Sequence, residues 1–184
     1  IMQQYAKLYK GAVSESLCEH TVHAMGTINF QKHNFYNATT GETKPRDEDK
    51  ELSMSWDNVP TKNQLNKIVD DTANQYVKDL NMPWFSEYQG YSHVRFNKYE
   101  ESKEMALHCD HIHSMFDGER KGVPILSVLG LLNDDFEGGE FFMIDKQREF
   151  SKGDILIFPS NFIYPHVVKP VTKGIRYSFI SWIW

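Results

Sequence analysis

The spacing of apolar residues changes character about halfway along the chain. Between residues 61 and 80, Leu65, Val69, Tyr76 and their apolar neighbours recur every three or four positions, which predicts an amphipathic helix. From Tyr91 onward, short apolar or alternating runs are separated by turn residues, a pattern typical of strands. These runs are YSHVRFNKYE, MALHCDH, VPILSVLGLLN, GEFFMI, DILIFP, HVVKP and IRYSFISWIW.

Capping patterns and one polar tract complete the prediction for the first half. Ser16-x-x-Glu19 and Thr61-x-x-Gln64 each match a capping box, and Gly26 is placed to end the first of the two helices. Between the helices, residues 37–53 are polar and charged, so we predict a long loop there. Helices followed by many short strands predict an α+β, mainly β protein, a sandwich or barrel supported by helices on one face.

Length and composition favour one domain spanning residues 1–184, with helical support over about 14–82 and a β core over about 91–184. The net charge of -5 gives no general attraction to nucleic acid, and none is indicated as a partner. Two cysteines exclude a disulfide framework and favour a reducing compartment. With no apolar run of the roughly 20 residues that a membrane span needs and no signal-peptide pattern, we predict a soluble protein in the cytoplasm or elsewhere inside the cell, without a membrane partner.

Candidate metal chemistry lies in the stretch LHCDHIH, residues 107–113. On a strand, side chains two positions apart share a face, so His108 and Asp110 could grip one ion while Cys109 points away. Downstream, a predicted strand carries His166, ten residues before Arg176. Two histidines and one carboxylate form the facial triad that suits non-haem Fe(II), and an arginine can pair with an anionic cosubstrate.

Against this background the last fifty residues, from LLNDDFEGGEFFMI to KGIRYSFISWIW, resemble the Fe(II)- and 2-oxoglutarate-dependent dioxygenases, in particular the prolyl hydroxylase branch. The similarity extends back to about Tyr91. The resemblance implies a double-stranded β-helix, or jelly roll, and iron ligation by His108, Asp110 and His166. It also implies binding of 2-oxoglutarate by Arg176, Tyr99, Ser178 and Trp182.

The same resemblance implies a reaction and its partners. Fe(II) is the cofactor, 2-oxoglutarate and O2 are cosubstrates, and ascorbate is an auxiliary reductant. Succinate and CO2 are released as a C–H bond is hydroxylated, and a prolyl residue in a peptide or protein is the favoured substrate. Residues 37–53 and 111–122 are candidate flaps over that peptide. Leu131 and Met105 depart from the family, where a tyrosine and an aromatic residue are common.

Alternatives stay open at several levels. An oxygenase of free amino acids or other small molecules, or a non-catalytic metal-binding β-barrel protein, would also account for the pattern. Arg95 and Asn97 share a strand face with Tyr99, so they either contact substrate or lie on a solvated face.

Other residues near the site also allow two interpretations. His113 contacts substrate or, like His111, belongs to a loop. Trp182 is on composition alone a core aromatic, and Cys109 is more readily a small buried residue than a reactive thiol. The acidic residues Asp134, Asp135 and Glu137 favour a solvated turn over a second metal cluster.

Overall fold

The computed structural model describes residues 2–37, 39–110, 112–116, 120–122 and 124–184, and within 112–122 it describes the backbone. A 3-10 helix, Met2–Tyr5, precedes two α-helices, α1 (Glu15–Met25) and α2 (Lys62–Leu80). The strands are β1 (Lys7–Tyr9), β2 (Gln31–Lys32), β3 (Phe35–Tyr36), β4 (Thr43–Lys44), β5 (Ser53–Ser55), β6 (Arg95–Tyr99), β7 (Met105–His108), β8 (Ile112–Phe116), β9 (Arg120–Gly122), β10 (Leu126–Leu131), β11 (Glu137–Gly138), β12 (Phe141–Met143), β13 (Lys146–Gln147), β14 (Ile155–Pro159), β15 (His166–Val168), β16 (Val171–Lys173) and β17 (Arg176–Ile183).

Two antiparallel sheets form the body of the protein. The larger has seven strands in the order β1-β14-β10-β17-β6-β5-β2, and the smaller has four in the order β13-β12-β15-β7. Three two-stranded sheets, β11-β16, β3-β4 and β8-β9, lie beside them. Each of the seven strand-forming runs predicted after residue 91 contains one of the observed strands.

The large sheet is covered on both faces, and each face has its own apolar core. One core joins helix residues such as Leu65 and Val69 to sheet residues such as Phe96 and Ile157. The other lies between the two sheets and contains Leu156, Phe158, Phe141 and Val168. The helices therefore support one face of the sheet, as the sequence predicts, and the space between the sheets is left for the site.

Alternation along the strands decides which side chains enter that space. In β17, Phe179 packs in the helix-side core, whereas Arg176 and Ser178 are buried on the opposite face. In β6, Phe96 faces the helices, and Tyr99 belongs to the core between the sheets. Because β6 and β17 pair in register, with Tyr99 opposite Arg176, their polar residues share one face.

The helix ends differ in part from the predicted caps. Helix α1 is capped by Ser14, whose hydroxyl oxygen accepts a hydrogen bond from the Leu17 N–H at 3.2 Å, so the predicted box beginning at Ser16 is wrong. Gly26 ends this helix as predicted. Thr61 is the N-cap of α2, but its hydroxyl lies 2.7 Å from that of Thr21 instead of capping the helix. A contact between the helices thus replaces the local cap.

The polar tract 37–53 is not wholly a loop. Thr43–Lys44 forms a strand, and Glu51 and Leu52 are buried just before β5 adds to the edge of β6. The region of helical support thus also contributes strands to the sheet. Among the described residues, no helix is long and apolar enough to cross a membrane.

Candidate metal centre

Three predicted ligands meet between the two sheets. His108, Asp110 and His166 each offer a ligand atom, and these three atoms lie within 4.8 Å of one another. The Nε2 atoms of His108 and His166 are 3.2 and 3.4 Å from Asp110 Oδ1. The structure therefore brings together all three residues that the sequence singles out for a metal.

The backbone fixes both imidazole rings in the orientation that a metal requires. His108 Nδ1 lies 2.7 Å from the carbonyl oxygen of Ala106, and His166 Nδ1 lies 3.0 Å from that of Tyr164. A carbonyl oxygen only accepts, so each Nδ1 must carry the hydrogen. In the neutral rings the lone pair is then on Nε2, facing Asp110. Such hydrogen bonds orient metal-binding histidines and set their tautomer.

The two carboxylate oxygens of Asp110 have different surroundings. Oδ1 faces the histidines, whereas Oδ2 accepts hydrogen bonds from Ser127 Oγ at 2.6 Å and from Trp182 Nε1 at 3.0 Å. Ser127 Oγ is in turn 3.0 Å from Ser160 Oγ. This network holds Oδ2 and leaves Oδ1 for a cation.

Electrostatics keep this acid ionised. Burial would raise the pKa of Asp110, but the electrostatic interactions with His166 and His108 hold it well below its usual range. Burial and the neighbouring His166 lower the pKa of His108. The pKa of His166 is raised, because the interaction with Asp110 outweighs the effect of burial. An ionised carboxylate beside two imidazoles is a suitable donor set for Fe(II).

Strand pairing places the ligands, although not quite as predicted. His166 of β15 lies directly opposite His108 of β7, with ring centroids 4.4 Å apart. Strand β7 ends at His108, so Asp110 follows the strand rather than sharing its face. Cys109 is among the residues lining the cavity instead of facing away, and its thiol lies 3.5 Å from the carbonyl oxygen of Phe162.

A cavity of about 280 Å³ opens onto the three ligands. The structure places Arg95, Asn97 and Tyr99 in its wall, together with Trp182 and Met105. Arg95 and Asn97 are 8% and 2% exposed, so the solvated-face interpretation of these two residues is wrong. His33, Phe35 and Trp56 also line the cavity, and nothing in the sequence pattern marked them.

Arg176 is buried next to Tyr99, with its guanidinium carbon 5.1 Å from the Tyr99 ring centroid. Its Nη1 donates to Ser178 Oγ at 3.3 Å, and its Nε has no hydrogen-bond partner among the residues that the structure describes. No carboxylate of the described residues pairs with it. A buried cation with an unused donor is suited to a carboxylate ligand.

The surroundings of Arg176 explain one glycine and include a second cavity. A Cβ at Gly139, where φ is +65°, would lie 3.0 Å from Arg176 Cδ, so the glycine leaves room for the arginine. Arg176 lines a second cavity of about 570 Å³, whose wall also includes Leu131 and Phe141. Phe141 borders both cavities. Tyr99 lines the cavity that opens onto the metal ligands and also contacts Arg176 through its ring.

The remaining predicted residues lie outside the centre. Asp134, Asp135 and Glu137 are exposed, and the only metal-ligand cluster among the described residues is the one above, in keeping with a solvated turn. His111 and the side chain of His113 lie outside the described residues. Sequence reasoning missed Ser127 and Ser160; a serine within the apolar run VPILSVLGLLN was the one available signal.

Comparisons with known proteins agree with this geometry. Residues 94–184 match the model of the 2OG-Fe(II) oxygenase superfamily. A PKHD-type hydroxylase of Idiomarina loihiensis is 37% identical over 94 residues, covering 49% of this chain and 41% of that protein. The aligned part thus spans less than half the length of this curated relative.

Solved structures show that the jelly-roll fold implied by the resemblance is correct. A prolyl-4-hydroxylase of Pseudomonas putida superposes with a TM-score of 0.69 at 16% identity, covering 97% of this chain and 92% of that one. A Trichoplax adhaerens prolyl hydroxylase, in complex with a hypoxia inducible factor peptide fragment, superposes with a TM-score of 0.70 at 16% identity, covering 98% and 83%. The match of residues 94–184 to the family model, with the ligand geometry, places this region of the chain in the 2OG-Fe(II) oxygenase superfamily, and the fold likenesses agree with it.

Proposed function

We propose that this chain is an Fe(II)- and 2-oxoglutarate-dependent dioxygenase that hydroxylates a C–H bond. The observation that carries the proposal is the convergence of His108, Asp110 and His166 at one point, with both imidazole Nδ1 atoms bonded to the backbone. This is a three-ligand facial set, which leaves other metal positions for cosubstrates. When bound, Fe(II) with 2-oxoglutarate and O2 supplies the oxidation, which releases succinate and CO2.

The protein's own residues hold and orient the reactants. Asp110 Oδ1 and the two Nε2 atoms would hold the metal, while Ser127 and Trp182 keep the carboxylate from rotating. Arg176 would pair with the distal carboxylate of 2-oxoglutarate. The Tyr99 ring lies beside the guanidinium, and Ser178 accepts a hydrogen bond from it. Its unpaired Nε supports this role, because a buried guanidinium is stabilised by a carboxylate partner.

For the substrate we propose a prolyl residue in a peptide or protein. The support is the fold likeness to prolyl hydroxylases, one of which is in complex with a peptide fragment. The predicted flap 37–53 adjoins the site, since Thr43 lines the cavity and Arg46 Nη1 donates to the Leu107 carbonyl oxygen at 2.8 Å. The segment 111–122 stays a predicted second flap.

An intracellular location is also a proposal. Its support is the cysteine content, because Cys18 and Cys109 are both free and Cys18 is buried. A protein that depended on an oxidising compartment for stability would more often carry disulfides.

Anaerobic titration followed by oxygen tests the activity. Adding Fe(II) and then 2-oxoglutarate should give a visible charge-transfer band, and admitting O2 with proline-containing peptides should release succinate and add one oxygen atom to the peptide by mass spectrometry. The assay is run with and without ascorbate. A protein that binds Fe(II) but gives neither the band nor succinate would be a metal-binding protein, and the proposal would fail.

Replacing Arg176 tests the cosubstrate role separately from the metal. We expect Arg176→Gln to weaken 2-oxoglutarate binding by about ten-fold or more, because a charge-assisted pair is lost, while Fe(II) affinity is retained. Lys173→Gln is the matched control, since Lys173 is an exposed cation on the neighbouring strand, paired with Glu137. Unchanged cosubstrate affinity in Arg176→Gln would remove this residue from the proposed role.

A further inference from the structure

Arg95 is a second buried arginine in the site, and the cosubstrate role of Arg176 does not account for it. It is 8% exposed and lines the cavity that opens onto the metal ligands. Its guanidinium carbon lies 5.1 Å from the centroid of the Trp182 ring, whose Nε1 donates to Asp110. Arg95 is therefore on the side of the metal centre occupied by Asp110 and Trp182.

The contacts of Arg95 leave its terminal edge unused. Its Nε donates to Asn97 Oδ1 at 3.1 Å, which fixes the plane of the guanidinium. Within the described part of the chain, its two Nη atoms have no hydrogen-bond partner, and no carboxylate lies within ion-pairing distance. A guanidinium held through Nε presents its two Nη groups as a fork that matches a carboxylate.

The charge balance of the loaded site points the same way. Fe(II) and Arg176 together carry three positive charges, which Asp110 and the 2-oxoglutarate dianion balance. Asp110 is the only acidic residue among the described residues that line the cavity. The charge of Asp110 acts on Arg95, but in the loaded site Asp110 would be shared with the metal, so Arg95 would have no anion of its own among the described residues that line the cavity. A buried, unpaired cation is costly, and an anionic partner removes most of that cost.

Arg95 and Arg176 serve different ends of the site. Arg176 pairs with Tyr99 across β17 and β6, and Arg95 precedes Tyr99 by four residues on β6, or about 13 Å along an extended strand. The two guanidinium groups lie over different rings, Tyr99 and Trp182. One carboxylate bound by Arg176 therefore leaves Arg95 available for another.

We propose that Arg95 recognises a carboxylate of the substrate that is hydroxylated. The inference rests on the proposed oxygenase function and narrows its substrate to a molecule with a carboxylate near the target C–H bond. The carboxylate belongs either to an acidic side chain close to the target residue or to a free C-terminus. Asn97 positions the guanidinium for this contact.

Binding of matched acids and amides tests the inference without turnover. The probes are blocked pentapeptides with a central proline in which one flanking residue is Asp or Asn, the same peptides with free or amidated C-termini, and N-acetylproline with its amide. Their affinities are measured calorimetrically on protein loaded anaerobically with Fe(II) and 2-oxoglutarate. We expect at least one acid to bind about ten-fold or more tightly than its amide, and the pair that shows this identifies the source of the carboxylate.

Variants of Arg95 assign the preference to this residue. Arg95→Leu should abolish the difference between acid and amide, and Arg95→Lys should retain part of it. Lys98→Gln is the control, because Lys98 lies on the same strand, pairs with Glu100 and does not line the cavity. If Arg95→Leu does not fold, the wild-type preference, its weakening by salt and the partial effect of Arg95→Lys decide the question.

Three results would overturn the inference: no acid binds better than its amide, the preference survives in Arg95→Leu, or Arg95→Leu weakens 2-oxoglutarate binding instead. The last result would assign Arg95 to the cosubstrate. Failure of the oxygenase proposal looks different. It appears as absent succinate release under O2, whereas the preference for an acid is a binding equilibrium that can be measured with or without turnover.

Discussion

At the scale of single residues, the two oxygens of Asp110 show how the site is held. One oxygen faces both histidines, and the other accepts hydrogen bonds from Ser127 and Trp182. A carboxylate that could rotate would lose orientation toward the metal. Trp182, predicted as a cofactor-pocket aromatic from the family resemblance, contacts the proposed metal ligand directly through its indole N–H.

Trp182→Phe tests this support. The variant keeps an aromatic ring but loses the N–H donor to Asp110, so we expect Fe(II) affinity to fall by about ten-fold, the lower end of the effects seen when partners of metal ligands are removed. Competition titration with a chelator measures it. Trp84→Phe is the control, since Trp84 is 82% exposed. Equal metal affinity in Trp182→Phe and wild type would contradict the supporting role.

A second residue-scale feature is the buried pair of Glu51 and His33. Glu51 Oε1 lies 3.4 Å from His33 Nδ1, and in the described part of the chain neither atom has a hydrogen-bond partner. Burial raises the pKa of Glu51 to about 7. Burial, together with the charge of Arg95, lowers the pKa of His33 to about 2. Both shifts favour a neutral pair.

The shift of Glu51 predicts a pH dependence of stability. Folding raises the pKa of Glu51, so the protonated side chain contributes to the free energy of unfolding. This contribution is fully present below the usual pKa of 4.5 and is lost as the pH rises through about 7. Glu51→Gln removes this loss, so between about pH 4 and pH 8 the free energy of unfolding should shift in favour of the variant by on the order of 3 kcal/mol.

Urea unfolding of wild type and variant at both pH values measures the difference. The lowered pKa of His33 affects stability in the opposite direction, because the stability contributed by neutral His33 is lost as the pH falls below 6.5. Wild type and variant both carry His33, so this effect cancels in the comparison. Glu87→Gln, the same substitution at an exposed position, is the matched control. The same pH profile for Glu51→Gln and wild type would show that Glu51 is not held protonated.

At the scale of elements, β6 and β17 carry most of the polar side chains of the site. Side chains alternate between the two faces along each strand. The polar residues that share one face are therefore Arg95, Asn97 and Tyr99 on β6 and Arg176 and Ser178 on β17. That alternation could be predicted from the sequence. Whether the face was wet or buried could not, because it depends on the second sheet that covers it.

The pairing of β10 with β17 depends on a glycine. A Cβ at Gly130 would lie 2.1 Å from Cζ of Phe179, the residue opposite it, which is fully buried. Gly130→Ala should therefore lower the free energy of unfolding by about 1–3 kcal/mol through overpacking. Chemical denaturation measures this change.

A double-mutant cycle provides the control. In the Phe179→Leu background the ring is absent, so Gly130→Ala should cost less than it does in the wild type. An equal cost in both backgrounds would mean that backbone effects, and not the contact with Phe179, set the penalty.

At the scale of the whole molecule, the first ten residues matter more than their sequence suggests. Strand β1 pairs with β14 at the edge of the large sheet. Three side chains from the body of the protein donate hydrogen bonds to main-chain carbonyl oxygens of this segment: Tyr76 to Tyr5, Tyr164 to Met2 and Arg148 to Ala6. The segment therefore joins the helices, the β14 edge and the loops around β13 and β15.

Deleting residues 1–9 tests this connection. The deletion leaves three donors without partners and exposes the edge of β14, so we expect a loss of about 3 kcal/mol or more in the free energy of unfolding. Urea denaturation measures it. Tyr9→Phe removes one exposed hydrogen bond to Asp79 and should change stability little. Equal stability of the deletion and wild type would show that β1 is dispensable.

The sequence by itself determined the local patterns. These are helix α2, the strands after residue 91, and the order of His108, Asp110, His166 and Arg176. Each depends on side-chain period or spacing within one segment, which adjacent residues specify. The predicted cap at Ser16 failed because a second local cap, Ser14, lies two residues earlier, and the predicted loop failed in part because β5 pairs with the distant strand β6.

Only the tertiary structure decided which atoms meet. Asp110 contacts Ser127 and Trp182, residues 17 and 72 positions away. Strand β5 pairs with β6 although helix α2 lies between them in the sequence. Such contacts depend on strand register and on the packing of one sheet over the other, which no short segment encodes. The burial of Arg95 without an ion pair to any described residue is of this kind: the sequence placed it on one face of a strand, and the second sheet made that face part of the cavity wall.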